Sequence, residues 1–469
     1  MDSIERITGW RHVAVFAALL LIAGCGGTPE GAPSTPGAPP ATGDGAASPV
    51  GEASPTPEPA PPGTTVVNFW QTQFNEEENE WYAGVVDAFN ESQDEVHVRH
   101  AVVPGDAWDQ RMTAAQAAGN APDLYTMNYG LIANAARTRQ IQPLGDVISA
   151  EAWDDLDEKV REIVSVDGEE YAYPLLVEPS AVLYYRTDLF AEAGIDSPPT
   201  SWEELIDYAQ RLTTNEVFGV RLAQDAVAMS WSTWGYQWNV AERLPISDDW
   251  CEARADDAYA PLLQAFQDLF SSGALPPADG APYPNAQTYG EGKYAMMANG
   301  SWAALQLLAD YPEIAENTEV AAMPSFDGQS GQTTATLGGW TLVVDGNSER
   351  QEEAGSFIDW AIGGDPENVI PFFEVSAFSK VSPRQSVADR IAEIPDIDEQ
   401  NPWNATIQAD VVPYAEGEPT YPWNVSLAMG EAIEEAMQGR PVDEALADAS
   451  TKIQREIDAS ELCGTGPGA

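Results

Sequence analysis

Glu178 is a lone carboxylate in an otherwise apolar stretch, and this makes it the first candidate for binding chemistry. The stretch Tyr171–Arg186 reads Tyr-Ala-Tyr-Pro-Leu-Leu-Val-Glu-Pro-Ser-Ala-Val-Leu-Tyr-Tyr-Arg, which is typical of a buried, extended segment punctuated by Pro174 and Pro179. A carboxylate buried in such a segment costs several kcal/mol unless it is paired or hydrogen-bonded. Glu178 is therefore either a solvated or arginine-paired edge residue, or a carboxylate that faces a ligand where the strand crosses between two lobes.

Tryptophan side chains form a second group that could bind a ligand. Indole rings offer flat platforms for the apolar faces of a sugar ring, while amide and carboxylate oxygens accept hydrogen bonds from its hydroxyls. Packing in a hydrophobic core is the alternative for any single tryptophan. Those at predicted strand ends or in predicted loops are Trp70, Trp231, Trp234, Trp302, Trp340, Trp403 and Trp423.

The elements that must position these residues begin with an alternation of strands and helices. The sequence predicts strands over 64–70, 95–103 and 121–127, and helices over 77–90, 106–118 and from about residue 131. This order indicates an open α/β sheet, in which ligands bind beyond the carboxyl ends of the strands. That rule selects Trp70, Gln71, Gln73, Asn128 and Tyr129. Further along, Ser201 and Glu204 predict a capping box at the start of a helix.

The N-terminus predicts export. Arg6 and Arg11 precede the apolar run 13–23, which is too short to span a membrane and has the pattern of a secretory signal. The run ends Leu-Ile-Ala-Gly-Cys25, which resembles the bacterial lipoprotein lipobox; an ordinary signal peptide is the alternative. The resemblance implies a signal peptide over 1–24 and a lipid on Cys25. Residues 25–63 are rich in Gly, Ala and Pro and predict a disordered tether.

Charge and cysteine content exclude several classes of partner. The chain has 75 acidic and 21 basic residues, for a net charge of −54. Nucleic acids and anionic membrane surfaces both demand clustered Lys and Arg, so neither is an expected partner. Cys251 and Cys463 predict a disulfide in an exported protein. With only His97 and His100 in the mature chain, we expect no zinc site, and no sequence motif calls for a cofactor.

Four blocks of sequence, in order, are similar to the extracellular solute-binding proteins of ABC importers, in the family that includes maltose-binding protein. The similarity covers about residues 65–460. The blocks are Tyr173–Leu205, Tyr289–Trp302, Leu337–Trp340 and Gly439–Leu446.

The resemblance implies an α/β fold of two discontinuous lobes with a ligand cleft between them. Lobe 1 would take residues 65–174 plus 336–395, and lobe 2 would take 180–330 plus 400–469, with hinge crossovers near 174–180 and 336–341. On this map the disulfide would staple lobe 2 and leave the hinge free. Gly338 and Gly339 would allow the backbone rotation of hinge closure.

The resemblance also implies roles for particular residues. Glu178 falls on the carboxylate with which maltose-binding protein accepts a sugar hydroxyl. Residues 378–384 are a further possible contact, although a salt bridge is the favoured interpretation of Arg384. The complete predicted ligand site is Trp70, Gln71, Gln73, Asn128, Tyr129, Glu178, Trp231, Trp234, Trp302, Gly339, Trp340 and Trp423.

The function implied is capture of a small solute, a sugar or oligosaccharide, by a monomeric lipoprotein on the outer face of the cytoplasmic membrane. The protein would deliver this ligand to membrane permease subunits. One alternative keeps the fold and binds a polyamine or another cationic solute. The other is a secreted glycoside-active enzyme, which needs two carboxylates at a fixed separation. No Gly-x-Ser-x-Gly elbow, phosphate loop or histidine metal motif occurs, so we expect a binding protein and not an enzyme.

Overall fold

The computed structural model describes residues 60–278 and 280–466. The predicted signal peptide, the lipidated Cys25 and all but the end of the predicted tether lie outside the described residues. In the described part of the chain, no helix combines the length and the apolar character needed to cross a membrane.

The strands are short and spread along the chain. In chain order they are β1 (Thr65–Thr72), β2 (Val96–Val103), β3 (Leu124–Asn128), β4 (Ser165–Val166), β5 (Glu169–Glu170), β6 (Tyr173–Pro174), β7 (Glu178–Pro179), β8 (Val182–Arg186), β9 (Phe218–Arg221), β10 (Tyr294–Asn299), β11 (Thr318–Ala321), β12 (Thr336–Gly338), β13 (Trp340–Val344) and β14 (Glu416–Gly417).

Helices fill most of the remaining sequence. They are α1 (Glu76–Ser92), α2 (Gly105–Ala117), α3 (Tyr129–Arg137), α4 (Ala150–Asp154), α5 (Glu158–Ile163), α6 (Thr187–Glu192), α7 (Trp202–Leu212), α8 (Ala226–Ser232), α9 (Trp234–Ala241), α10 (Ala260–Ser272), α11 (Gln287–Gly290), α12 (Ala303–Asp310), α13 (Pro312–Ala315), α14 (Gln351–Ile358), α15 (Ile370–Val375), α16 (Gln385–Ala392), α17 (Ile397–Gln400), α18 (Asn404–Asp410), α19 (Trp423–Met437) and α20 (Val442–Ala459). A π-helical turn, Asp359–Gly363, continues α14, and short 3-10 turns cover Asp257–Tyr259, Pro366–Asn368 and Val412–Tyr414.

Two main sheets organise the molecule. The first has the strand order β2-β1-β3-β13-β6, and the second has the order β11-β8-β10-β9. In the first sheet β1 lies parallel to β2 and β3, whereas β13 runs antiparallel to β3. The predicted strand-helix alternation of the first 70 or so folded residues is therefore confirmed, and the sheet is mixed because β13 joins it from far along the chain.

Each main sheet belongs to its own hydrophobic core. One core takes buried residues between Val67 and Val177 and between Leu342 and Val387. The other takes buried residues between Ala181 and Ala335 and between Trp403 and Leu462. We call the two bodies lobe 1 and lobe 2. The α/β two-lobe fold with discontinuous lobes is as predicted.

A third, three-stranded sheet forms where the chain passes between the lobes, and we call it the hinge sheet. Its order is β14-β12-β7. Strand β7 pairs with β12 in antiparallel fashion, with Gly338 opposite Glu178, and β14 pairs with β12 in parallel fashion, with Gly417 opposite Leu337. Strands β7 and β12 are crossover segments between the lobes, whereas β14 lies between the lobe 2 residues Val411 and Tyr421, so lobe 2 supplies the third strand.

Local chemistry explains several element boundaries. Ser201 Oγ accepts a hydrogen bond from the Glu204 N–H at 3.1 Å and caps α7, as the capping pattern predicts. The Glu204 carboxylate accepts from the Thr200 N–H at 2.8 Å, one residue before the position that a standard capping box uses. The predicted single strand 337–344 is interrupted at Gly339, where φ is +148°. Glycine is favoured there because a β-carbon would approach the Leu176 carbonyl oxygen to 2.5 Å.

A disulfide joins Cys251 to Cys463, with a Cα–Cα separation of 4.1 Å. Both cysteines belong to lobe 2, and the bridge ties the segment after α20 to the loop that follows α9. It therefore crosslinks lobe 2 internally, and neither cysteine lies on the hinge sheet.

Candidate ligand-binding site

Glu178 lies on the hinge sheet with its side chain taken out of solvent. Its relative exposure is 8%, and its Oε2 atom has no hydrogen-bond partner. Burial raises the pKa of Glu178 to about 7; Lys380 lowers it and Glu78 adds to the rise. A buried carboxylate oxygen without a donor is costly unless a ligand supplies one. Glu178 is therefore placed to accept a hydrogen bond from a ligand or to hold a proton itself.

The neighbouring cation, Lys380, is already paired. Its Nζ contacts the Glu78 carboxylate, and the two side chains are only 6% and 3% exposed. Ser376 Oγ donates a second hydrogen bond to the same Glu78 oxygen at 2.8 Å. Lys380 is brought next to Glu178 because Val381 pairs with Val177 in an isolated bridge. The cation thus moderates the charge of Glu178 but is neutralised by Glu78.

Glu418 is the residue that the sequence analysis missed. It follows β14 directly, and its Oε2 accepts a hydrogen bond from the Gly130 N–H at 3.2 Å. The pKa of Glu418 is raised to about 8, mainly by burial. The hydrogen bond from Gly130 lowers this pKa, and the charge of Glu178 raises it. A sequence signal existed, because Glu418, like Glu178, directly precedes a proline. The residue before proline favours extended backbone, as both strands require.

Asn128 and Tyr129 lie at the carboxyl end of β3, as the strand-end rule predicts. Asn128 Oδ1 caps α3 by accepting from the Gly130 N–H at 3.0 Å, and its Nδ2 donates to the Gly339 carbonyl at 3.2 Å. Tyr129 is buried and donates from its hydroxyl to the Leu176 carbonyl at 3.2 Å. Both side chains therefore hold the hinge crossovers against lobe 1. The charges of Glu418 and Glu178 both raise the pKa of Tyr129, after burial itself.

Trp340 and Phe74 form the aromatic part of lobe 1 near the hinge. Trp340 begins β13 opposite Asn128, and its ring meets the Phe74 ring edge-on at 5.1 Å between centroids. Both rings are half-buried. Phe74 belongs to the loop after β1 but escaped the sequence analysis, which considered tryptophans and amides in that loop.

The other predicted residues of the first lobe have different surroundings. Gln71 is fully buried and its amide donates to Asn79 Oδ1 at 2.7 Å, while its Oε1 lies 2.8 Å from the His100 ring nitrogen. Trp70 is half-buried against the core of lobe 1, and Gln73 is exposed. The structure thus gives Gln71 a structural set of partners, whereas Trp70 and Gln73 stay predictions.

Trp231 and Trp302 come together in lobe 2. Their ring centroids lie 6.0 Å apart, and Tyr283 meets Trp231 at 5.4 Å. Trp302 follows β10, while Trp231 lies on α8, in the segment after β9. Since β9 and β10 are parallel, the segments that leave their carboxyl ends start from the same edge of the sheet. The three rings, which we call the aromatic platform, are two tryptophans that were each predicted as site residues and one tyrosine that was not predicted.

The hydrogen bonds of the Trp302 loop connect the aromatic platform to the hinge sheet. The Ser301 N–H donates to the Pro179 carbonyl at 3.1 Å, one residue from Glu178. The Trp302 indole N–H donates to the Pro284 carbonyl at 3.0 Å, which orients the ring. A β-carbon on Gly300 would overlap the Trp302 ring, so glycine is required there. The geometry therefore sets an aromatic surface beside a buried carboxylate.

The other tryptophans singled out in lobe 2 have different surroundings, and Trp423 stays a prediction. Trp234 is buried in lobe 2, where its indole N–H donates to Ser426 Oγ at 2.9 Å. Trp403 is buried and donates to the Thr318 carbonyl at 2.9 Å. Trp423, the first residue of α19, is exposed. Trp234 and Trp403 are thus core residues of lobe 2.

Arg384 serves a structural role. Its Nε donates to Asp155 Oδ2 at 2.8 Å, and its other nitrogens donate to the carbonyls of Ile362 and Gly364. The salt-bridge interpretation of this residue is confirmed. Within the described ranges, no set of three or more His, Cys, Asp or Glu side chains is placed to hold a metal ion.

A separate open groove of about 990 Å³ runs along α20 in lobe 2. It contains no residue of the hinge sheet or the aromatic platform. The hinge region therefore remains the better candidate, since within residues 60–278 and 280–466 it is where an unpartnered buried carboxylate and paired indole rings occur together.

Comparisons with known proteins identify relatives of the chain. The family model described as "Bacterial extracellular solute-binding protein" matches residues 74–364. A "Probable ABC transporter-binding protein" of Deinococcus radiodurans is 30% identical over 215 residues, which are 42% of this chain and 49% of that protein. A "Mannitol-binding protein" of Pseudomonas aeruginosa is 26% identical over 288 residues, covering 58% of this chain and 64% of that protein. The chain thus spans about half to two thirds of these relatives.

Solved structures show the same fold. The crystal structure of a cyclic alpha-maltosyl-1,6-maltose binding protein from Arthrobacter globiformis superposes with a TM-score of 0.70 at 22% identity. The superposition covers 85% of this chain and all of that one.

Proposed function

The chain belongs to the family of bacterial extracellular solute-binding proteins, and from this premise we propose that it captures a neutral carbohydrate between its lobes and delivers it to an ABC permease. The observation that carries the proposal is the buried Glu178 Oε2 without a partner, next to the aromatic platform of lobe 2. A sugar supplies both complements, since its hydroxyls donate hydrogen bonds and its ring faces stack on indoles.

The names of the relatives support this ligand class. One relative is named for mannitol, and a solved structure of the same fold is named for a cyclic maltose derivative. Both ligands are uncharged and rich in hydroxyls. We extend that chemistry to this chain because its candidate site contains carboxylate acceptors and indole rings, with its one nearby lysine neutralised by Glu78.

The proposed mechanism is capture by hinge closure. Two of the crossovers, β7 and β12, pair in the hinge sheet, so rotation about them changes the distance between the lobes while each core stays intact. The ligand would contact Glu178 at the hinge and the aromatic platform from lobe 2. Because the protein only binds and releases its ligand, we propose no catalytic step.

The proposed location is the outer face of the cytoplasmic membrane. The lipobox-like sequence at Cys25 would supply a lipid anchor, and residues 26–63 would supply a tether. A chain of about 38 residues spans roughly 35 Å on average, enough for a monomeric binding protein to reach its permease. Mass spectrometry of the protein from membranes, compared with Cys25→Ser, tests the anchor: only the former should carry diacylglycerol.

A thermal-shift panel tests the ligand class. We expect at least one of D-mannitol, D-glucose, maltose or maltotriose to raise the melting temperature, because a ligand at one hundred times its Kd adds about 2.7 kcal/mol of stability. Spermidine is the comparison, since two hinge carboxylates are the observation that would favour a cationic amine. A shift with spermidine and with none of the sugars would replace the carbohydrate proposal by the amine.

The role of Glu178 is tested by a conservative substitution. Glu178→Gln keeps the shape but weakens the acceptor, so the affinity for the sugar found in the panel should fall by about 1–3 kcal/mol. Trp302→Ala should weaken the same sugar. Isothermal titration measures both, and equal affinities for wild type and Glu178→Gln would remove Glu178 from the site.

A further inference from the structure

Glu178 and Glu418 point to the same face of the hinge sheet. Glu178 is paired with Gly338, and directly paired residues of an antiparallel ladder project their side chains to one face. A β-carbon on Gly338 would overlap Glu418 Oε1, so the Glu418 carboxylate occupies the space that a Gly338 side chain would fill. The Glu418 carboxyl group therefore lies beside the position opposite Glu178, on the face to which the Glu178 side chain projects.

The charges around this pair do not cancel it. Lys380 faces Glu178 but is held by Glu78. The other titratable groups that face the pair are the phenols of Tyr129 and Tyr184, both of which are buried and uncharged at neutral pH. Glu418 receives the Gly130 N–H at the start of α3, a helix of nine residues whose dipole favours a negative charge at this end. That contact stabilises Glu418 but leaves Glu178 Oε2 without a donor.

Neighbouring carboxyl groups of which one is buried and the other half-buried do not both ionise easily, and such pairs titrate as a unit that retains one proton. We infer that Glu418 is a second determinant of ligand specificity, and that with Glu178 it forms a proton-sharing pair that admits neutral carbohydrates and rejects acidic ones. The inference rests on the proposed function and adds a charge class to it.

The physical reason is a balance between hydrogen bonding and repulsion. A singly protonated pair offers carboxylate oxygens that accept from sugar hydroxyls and an O–H that donates to one. The remaining negative charge repels a ligand carboxylate. One unit charge at about 10 Å and an effective dielectric of about 20 changes affinity by roughly tenfold. Raising the pH removes the shared proton and strengthens the rejection.

Matched neutral and acidic ligands test this inference. The pairs are D-mannitol with D-mannonate, D-glucose with D-glucuronate, and maltose with maltobionate, whose carboxylates stay ionised from pH 6 to pH 9. In the wild type, the neutral member should bind at least tenfold more tightly, and the ratio should grow with pH. Glu418→Gln should reduce the ratio roughly tenfold, because one of the two carboxyl groups is removed, and the pH dependence that remains should be that of Glu178 alone.

The control is Glu416→Gln. Glu416 lies two residues earlier on β14 and is exposed, so it changes the same net charge away from the pair. Glutamine at position 418 can still accept the Gly130 hydrogen bond, which preserves the local fold. The wild-type pH dependence of the ratio needs no variant and tests the inference even if Glu418→Gln is unstable.

The outcomes separate this inference from the proposed function. Neutral sugars that bind with a ratio independent of pH in the wild type would overturn the carboxyl pair alone. A ratio in Glu418→Gln equal to that in Glu416→Gln would do the same. Failure of every neutral and acidic sugar to bind would overturn both proposals together.

Discussion

Replacing Lys380 with methionine should destabilise the protein strongly, because it leaves the Glu78 carboxylate buried without its cation. Both side chains are nearly inaccessible, with exposures of 6% for Lys380 and 3% for Glu78. After the substitution, the Ser376 hydroxyl at 2.8 Å is the hydrogen-bond donor that remains to the Glu78 carboxylate. Breaking a buried pair by removing one partner typically costs about 3–5 kcal/mol, and we expect a loss in that range for Lys380→Met.

The double variant Glu78→Gln/Lys380→Met separates lost charge compensation from lost packing. A neutral glutamine beside methionine leaves no uncompensated charge, so the double variant should recover more than half of the loss. Urea unfolding at pH 7, followed by tryptophan fluorescence, measures the free energy of unfolding for wild type, both single variants and the double variant. Arg390→Met is the matched control, since Arg390 pairs with Glu367 at the surface and its removal should leave the unfolding curve unchanged.

Two results would refute this reasoning. A Lys380→Met protein as stable as the wild type would show that the Glu78 carboxylate can become solvated or protonated without loss of stability. A double variant whose loss equals the sum of the two single losses would show that the lysine and the glutamate do not depend on each other.

Three further predictions concern the hinge and the contact between the lobes. Burial raises the pKa of Glu178 from 4.5 to about 7, so its contribution to stability is fully present below pH 4.5 and is lost as the pH rises through 7. The free energy of unfolding of Glu178→Gln, measured in urea, should therefore rise by about 3 kcal/mol relative to that of the wild type between pH 4.5 and pH 9. Stability profiles of the two proteins that stay parallel over this range would contradict the prediction. Gly339→Ala should lower the melting temperature, because φ is +148° there and a β-carbon would meet the facing carbonyl oxygen at 2.5 Å. An unchanged melting temperature would mean that the crossover backbone shifts to accommodate the β-carbon. Arg137 of lobe 1 lies over the Trp250 ring of lobe 2 at 4.8 Å, so Arg137→Ala should destabilise the protein by about 1 kcal/mol. It should also increase the radius of gyration measured by X-ray scattering, because a contact between the lobes is lost. Unchanged stability and radius of gyration would show that the contact contributes nothing.

Local pattern was enough to predict most elements of lobe 1. Apolar spacing predicted the helix over 77–90, observed as Glu76–Ser92, and alternation predicted the strand over 95–103, observed as Val96–Val103. Pattern said less about residues 229–239, where four aromatics obscure any periodicity. The chain there forms α8 and α9, with Trp231 and Trp234 on successive helices. One indole joins the aromatic platform and the other packs into the core, although three positions separate them.

The sequence by itself determined the fold class, the family and the unusual position of Glu178, because periodicity, motif order and a charged residue in an apolar run are local properties. Only the tertiary structure decided which groups surround that carboxylate. Lys380 and Glu78 meet across 302 positions, and Glu418 is brought to the face of Glu178 because β14 and β7 both pair with β12. The physical reason is that burial, and the charges that share a low dielectric, depend on how distant segments pack. The local pattern therefore identified Glu178, whereas its neighbour Glu418 was found only once the hinge sheet was known.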